Sequence, residues 1–253
     1  MVPDGYALEL DESFRGPLNA STWLPYYLPH WSSRSQGAAR YRFSEEGLVL
    51  RIDADQEPWC AEFDGTNRTS TLQTGEFAGA LGSPTGQSRF RDDLVVREEQ
   101  ESRLLYGMHH GYVELRCRGT AHPDAMFALW MIGHEDSPER SGEICVAEIF
   151  GRDLDGGTAA VGMGVHPFGD PALTDEFEKV PARLDVTEFH VYAAHWRPGT
   201  VDFFIDGSLV KSVGQAPDYP LQLMLGIFDF PTEKSAPVDY PKEFVVDHLR
   251  VYS

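Results

Sequence analysis

VDFFIDGSLVKS, Val201–Ser212, sets two short apolar runs on either side of Asp206-Gly207. An Asp-Gly pair between apolar runs is the strongest short-range signal for a β-hairpin, because a two-residue turn needs backbone conformations those residues tolerate. The same texture continues outward from this hairpin. Segments rich in β-branched and aromatic residues recur at Leu48–Ile52, Gly111–Arg118, Met126–Ile132, Glu143–Phe150 and Ala159–His166, then at Phe189–Trp196, Leu221–Phe228 and Phe244–Tyr252. The 24 glycines and 17 prolines punctuate these segments. Helical periodicity is scarce, with one turn expected near Arg97–Leu105. Residues 53–105 read as long loops with short strands between them. Ten or more strands in one chain must pack as two sheets, so the expected fold is all-β, a jelly-roll sandwich of two antiparallel sheets, with residues 1–253 as one domain.

The composition, 42% hydrophobic and 24% charged, is that of a globular chain. Its longest apolar run, Ala125–Gly133, falls far short of the ~20 residues a membrane-spanning helix needs. Lys and Arg number 21 against 40 Asp and Glu, a net charge of −19. Such a surface repels phosphate backbones and anionic bilayers, so neither nucleic acid nor membrane is an expected partner, and a neutral ligand is. Cys60, Cys117 and Cys145 fit no zinc spacing and no complete disulfide framework, and Cys60 and Cys117 are expected as small buried apolar residues. MVPDGYALELDESF, residues 1–14, lacks a basic start followed by an apolar stretch, so no signal peptide is expected in this chain. A cytoplasmic protein and a mature secreted one both accord with that. The sequons at Asn19 and Asn67 carry no functional weight. His109 and His110 are adjacent, so on a strand they would face opposite ways and are not expected to share a metal.

GEICVAEIFG, Gly142–Gly151, carries the chemistry. Plain alternation would bury Glu148 with Ile144, Val146 and Phe150. One β-bulge between Cys145 and Glu148 removes the conflict: Glu143, Cys145 and Glu148 then share a face, and the aliphatic residues turn inward. The two glutamate backbones would stand about 13 Å apart, four strand steps of ~3.3 Å. Long side chains leaning together can close that to the ~5–5.5 Å between the carboxylates of a retaining glycosidase.

The surrounding text resembles glycoside hydrolase family 16. YGMHHGYVELRCRGTAHPDAMFALWMIG, Tyr106–Gly133, resembles that family's paired core strands. GEICVAEIFG resembles its E-I-D-x-x-E. FHVYAAHWRPGTVDFFIDGSLV, Phe189–Val210, resembles its F-H-x-Y-x-x-x-W-x-P block, FVVDHLRVYS its closing V-D-Y-V-R-V-Y, and LDESFRGPLNASTW its opening D-E-F-x-G. The resemblance implies a jelly roll with a concave substrate cleft and endo-hydrolysis of a β-linked polysaccharide with retention. Glu143 would be the nucleophile and Glu148 the acid/base, with no cofactor in catalysis. Cys145 replaces the family's aspartate and Met126 replaces a tryptophan of the sugar platform. Trp130, His166, Trp31 and Trp59 are the remaining candidates for sugar contact, with Trp23, Tyr26 and Tyr27 in the same early aromatic cluster. Trp196 is expected to fill the core. By the same resemblance Asp247 and a carbonyl at Gly47 would hold a structural calcium ion, since hard oxygen ligands suit Ca²⁺. A monomer acting on a β-1,3- or β-1,3/1,4-glucan is the expectation. A galactan hydrolase of agar or carrageenan type, a transglycosylase and a catalytically weakened glycan-binding protein remain alternatives on the same residues.

Overall fold

The computed structural model describes residues 2–233 and 235–253. In chain order its strands are β1 (Leu8–Glu12), β2 (Tyr41–Ser44), β3 (Gly47–Ile52), β4 (Arg68–Gln73), β5 (Gly75–Glu76), β6 (Arg103–Leu104), β7 (Gly111–Arg118) and β8 (Ala125–Gly133). There follow β9 (Glu143–Asp155), β10 (Thr158–His166), β11 (Glu178–Ala182), β12 (His190–Arg197), β13 (Thr200–Ile205), β14 (Ser208–Val213), β15 (Leu221–Asp229) and β16 (Lys242–Tyr252). All pairings are antiparallel. One sheet runs β14-β13-β12-β7-β16-β3-β2, with β1 also paired to β16; the other runs β11-β10-β9-β8-β15-β4. This is the all-β double sheet expected of the strand pattern.

The hairpin forms as its turn chemistry demands. Asp206 and Gly207 both take positive φ, 49° and 77°, which the tight turn between β13 and β14 requires. Between the sheets lies one large core. Phe127, Leu129 and Met131 of β8 and Leu223, Leu225 and Ile227 of β15 meet Val113 and Leu115 of β7, Phe203 of β13 and Phe244 and Val246 of β16. Trp196 is fully buried there and its indole N–H donates to the Pro217 carbonyl, so it is core as expected. Cys60 and Cys117 are buried free thiols.

Two local expectations fail. Residues 97–105 form no helical turn. Arg97 N–H donates to the His30 carbonyl, Glu98 accepts from Arg34 N–H, and Gln100 accepts from the Arg34 guanidinium, so distant partners hold the segment extended. The short helix α1 spans Ala61–Asp64 instead. His109 and His110 precede β7 rather than sitting in a strand. His110 takes φ +61°, which turns its ring back onto His109, and the two rings stack with centroids 4.3 Å apart. Among the described residues no helix is long and apolar enough to cross a membrane.

Candidate active site

The bulge in β9 is present. Leu129 pairs with Ala147 and Trp130 with Cys145, so Val146 is the extra residue. Ile144, Val146, Ala147 and Ile149 all enter the core, while Glu143, Cys145 and Glu148 line one cleft on the outer face of the six-stranded sheet. Met126, Ala128, Trp130 and Ile132 of β8 line the same cleft by plain alternation. The cleft encloses about 1010 Å³, at the upper end of ligand-site volumes. Its walls come from loops: Tyr27 and Trp59 on one side, Ser88–Phe90 and Glu135 on another, and Phe168 beside His166.

Each expected residue has a definite place. Met126 and Trp130 lie on the cleft floor, with Trp130 tilted against Phe228 at 6.0 Å. His166 pairs across the β9–β10 ladder with Glu143, not Glu148. Its ring stacks on Phe177 at 4.6 Å and its Nδ1 lies 3.3 Å from Asp175. Gly162 stands opposite Glu148, and a Cβ there would meet the Phe177 ring at 2.5 Å. Trp59 lines the cleft as a wall rather than an open platform. It is 2% exposed, its indole N–H donates to Asp64, and Tyr27 meets it edge-on at 4.8 Å. Trp31 is not in the cleft. It is fully buried in a satellite cluster with Leu28, Leu94 and Cys60, and its N–H donates to the Gln87 carbonyl, because the early loop folds back over it.

Electrostatics separate the acids from ordinary carboxylates. Burial pushes Glu143 up to about 8, helped by the nearby Glu148 and Glu135. Glu148 is also raised by burial, but Lys179 and Arg152 pull it down and Asp153 adds repulsion. The Cys145 thiol is pushed well above its ordinary value by burial and by both glutamates, so it is neutral. Its S–H points at the Gly162 carbonyl, 3.7 Å away, rather than at Glu143. With its value raised to about 8, the Glu143 carboxyl holds a proton at neutral pH.

Glu135 has no signal in the sequence, being one acid in an irregular loop. In the fold it reaches the cleft with φ +56°, accepts a hydrogen bond from Ser88 N–H at 2.8 Å, and is raised to about 7 by burial. Phe228 and Phe230 extend the floor with nearly parallel rings, 8° apart in plane.

The residues at the expected calcium position do not fit that ion. Asp247 bonds the Arg15 guanidinium through Oδ1, while its Oδ2 lies 3.1 Å from Arg116 and 2.8 Å from His248. Burial opposes ionisation of Asp247, but the bonds from His248, Arg15 and Arg116 hold its carboxyl below the usual range. At Gly47 a Cβ would stand 2.8 Å from Arg15 Nη1, so the guanidinium fills the space between the two expected donors. A divalent cation there would face two guanidinium charges.

The profile of Glycosyl hydrolases family 16 matches residues 100–240, which include both glutamates. No curated protein sequence matches the chain. Among solved structures the chain is similar to the GlcNAcα1-4Gal-releasing endo-β-galactosidase from Clostridium perfringens, with 28% identity, a TM-score of 0.83, and coverage of 99% of this chain and 64% of that one. The chain thus spans under two thirds of that protein's length. It is similar in fold to a laminarinase from Flavobacterium sp. UMI-01, with 18% identity, TM-score 0.66, and 98% and 100% of the two chains covered. A laminarinase from Rhodothermus marinus is likewise similar, with 18% identity, TM-score 0.63, and 98% and 97% covered.

Proposed function

We propose that this chain, which belongs to glycosyl hydrolases family 16 and is thereby a retaining glycoside hydrolase acting on β-linked glycans, cleaves internal β-galactosidic bonds. The observation that carries the sugar is the likeness to an endo-β-galactosidase over 99% of this chain at 28% identity. The β-glucan reading rests on the glutamate spacing alone, and the laminarinase likenesses, at 18% identity, speak to fold only.

The geometry supports a two-step route. Glu143 attacks the anomeric carbon while Glu148 gives its proton to the departing glycosidic oxygen; water then enters with Glu148 as base, and Glu143 leaves. In the free cleft Glu143, raised to about 8, carries a proton at neutral pH, while Lys179 and Arg152 offset part of the burial that raises Glu148. A bound sugar becomes electron-poor at the carbon facing Glu143, which draws the charge onto that carboxylate and the proton onto Glu148. His166, opposite Glu143, and Glu135, on the adjoining loop, are placed to bond sugar hydroxyls. Trp130, Phe228 and Phe230 offer apolar faces to the rings of the sugar.

The test compares product release from a GlcNAcα1-4Galβ-terminated glycan, an agarose oligosaccharide, laminarin and lichenan. Release of a galactose-ended oligosaccharide, first seen as the β-anomer by NMR and lost in Glu143→Gln, is expected. Cleavage of laminarin or lichenan alone would overturn the galactose reading and leave the retaining chemistry intact. Silence from the wild type with activity in Cys145→Asp would make the protein a glycan binder.

A further inference from the structure

We propose that His109, His110 and Asp218, outside the cleft, form a binding site for a zinc-like divalent transition metal ion. One ligand atom from each lies within 4.8 Å of the other two. His109 Nε2 is 3.3 Å and His110 Nε2 3.6 Å from the same oxygen, Asp218 Oδ1. A tetrahedral ion with bonds of about 2.0–2.1 Å holds neighbouring ligand atoms about 3.4 Å apart. The two separations are therefore those of tetrahedron edges, with a fourth corner open to water.

The local backbone gives a second reason. His110 sits at φ +61°, a conformation that costs a non-glycine residue free energy. Strain of this kind is normally offset by a contact, yet His110 Nε2 is a buried nitrogen with no hydrogen-bond partner. An ion at the shared focus of the two imidazoles would satisfy that nitrogen. Trp196 builds both halves of the site. Its ring meets His110 edge-on at 5.0 Å and His109 at 5.8 Å, and its N–H holds the Pro217 carbonyl next to Asp218. The ligands are thus positioned before any ion arrives.

Two imidazoles and one carboxylate suit zinc, cobalt, nickel or copper, whereas calcium and magnesium prefer oxygen ligands throughout. The position suggests what the ion does. Met108 bridges to Leu221, so this edge joins the two sheets. Asp218 lies in the connection leading into β15, and its neighbour Tyr219 accepts from Gly142 N–H at 2.8 Å and donates to Asp170 at 2.7 Å. Gly142 precedes Glu143. An ion on Asp218 stiffens the connection that braces the start of β9.

Zinc chloride titrated by calorimetry into the full chain, stripped with chelator and free of any histidine tag, tests this. One ion per chain and a rise in Tm with zinc, without a matching rise from calcium, are expected. Changing an outer partner of a metal ligand costs about 10–100-fold in affinity, so removing a ligand in His110→Ala or Asp218→Asn is expected to cost about 100-fold or more. Asp218 is 83% exposed, so Asp218→Asn keeps the fold, which its Tm in chelator verifies. Stripped protein reloaded with cobalt should show the intense visible absorption of a tetrahedral site. Equal zinc affinity in wild type and both variants, or equal Tm shifts from calcium and zinc, would reduce the binding to diffuse attraction by a surface of charge −19 and overturn the site.

Discussion

Two carboxylates on the six-stranded sheet, Asp229 fully buried and Glu143 partly exposed to the cleft, are treated in opposite ways. Asp229, at the end of β15, is fully buried, bonds Lys242 Nζ and Tyr240 O–H (2.8 Å), and has Arg68 3.6 Å away. Glu143, at the start of β9, has the carboxylates of Glu148 and Glu135 near it instead, and both raise its hold on a proton. The first arrangement neutralises a charge so that β15 and β16 can be joined. The second leaves a charge expensive and so raises its proton affinity, the setting in which the proposed nucleophile would work. The same functional group is thus made charged or neutral by what is placed beside it.

The largest expected break in this comparison is at the reactive end. Glu143→Gln should lower kcat by about 10³-fold or more with an unchanged fold, measured by product release and circular dichroism. Next comes the structural end. Lys242→Met strands Asp229 without its ammonium and should cost about 3–5 kcal/mol in a urea titration, with activity per folded molecule retained. A full loss of activity in the still-folded variant would mean the ion pair serves the cleft as well.

Glu143→Gln also tests the cost of the reactive charge. Below pH 4.5 the carboxyl is protonated in both folded and unfolded chains, and variant and wild type should be equally stable. Between 4.5 and about 8 the folded chain alone keeps its proton, so wild-type stability falls as pH rises. Above 8 the variant should be the more stable by about 1–2 kcal/mol, a value kept small because the cleft is open to water. Thermal melts at pH 4.5, 6.5 and 8.5 read this directly; a pH-independent difference would refute it.

Cys145→Asp adds a third carboxylate to the face. It should move the alkaline limb of the pH–rate profile up by about one unit through like-charge repulsion. An unmoved limb would show that residue 145 does not communicate with the pair. The smallest effect is expected from Glu135→Gln, a downward shift of that limb by about half a unit, since Glu135 repels the Glu143 charge less than Glu148 does. A larger rise in KM than fall in kcat would identify Glu135 as a sugar contact.

Much of this was legible before folding. The strands at Gly111–Arg118 and Ser208–Val213, the hairpin at Asp206-Gly207, and the need for a bulge between Cys145 and Glu148 all follow from alternation and turn chemistry within a dozen residues. The shared face of Glu143, Cys145 and Glu148 follows from that bulge. Trp31 and Trp59 read alike in sequence and share the satellite cluster, yet only Trp59 also walls the cleft, because the loops that carry them are placed by distant strands. The misread histidines have the same origin, since one positive φ before β7 reversed a side chain that strand alternation assigned elsewhere.

By itself the sequence determined the all-β fold, the bulged strand and the acid pair, because pleat and turn preferences act between near neighbours. Only the tertiary structure decided what those acids feel. Lys179 and Arg152 reach Glu148, Glu135 reaches Glu143, and Arg15 reaches Asp247 across 232 residues of chain. A pKa is set by burial and by charges within a few ångströms, and those neighbours are fixed by sheet register and loop path rather than by spacing along the chain.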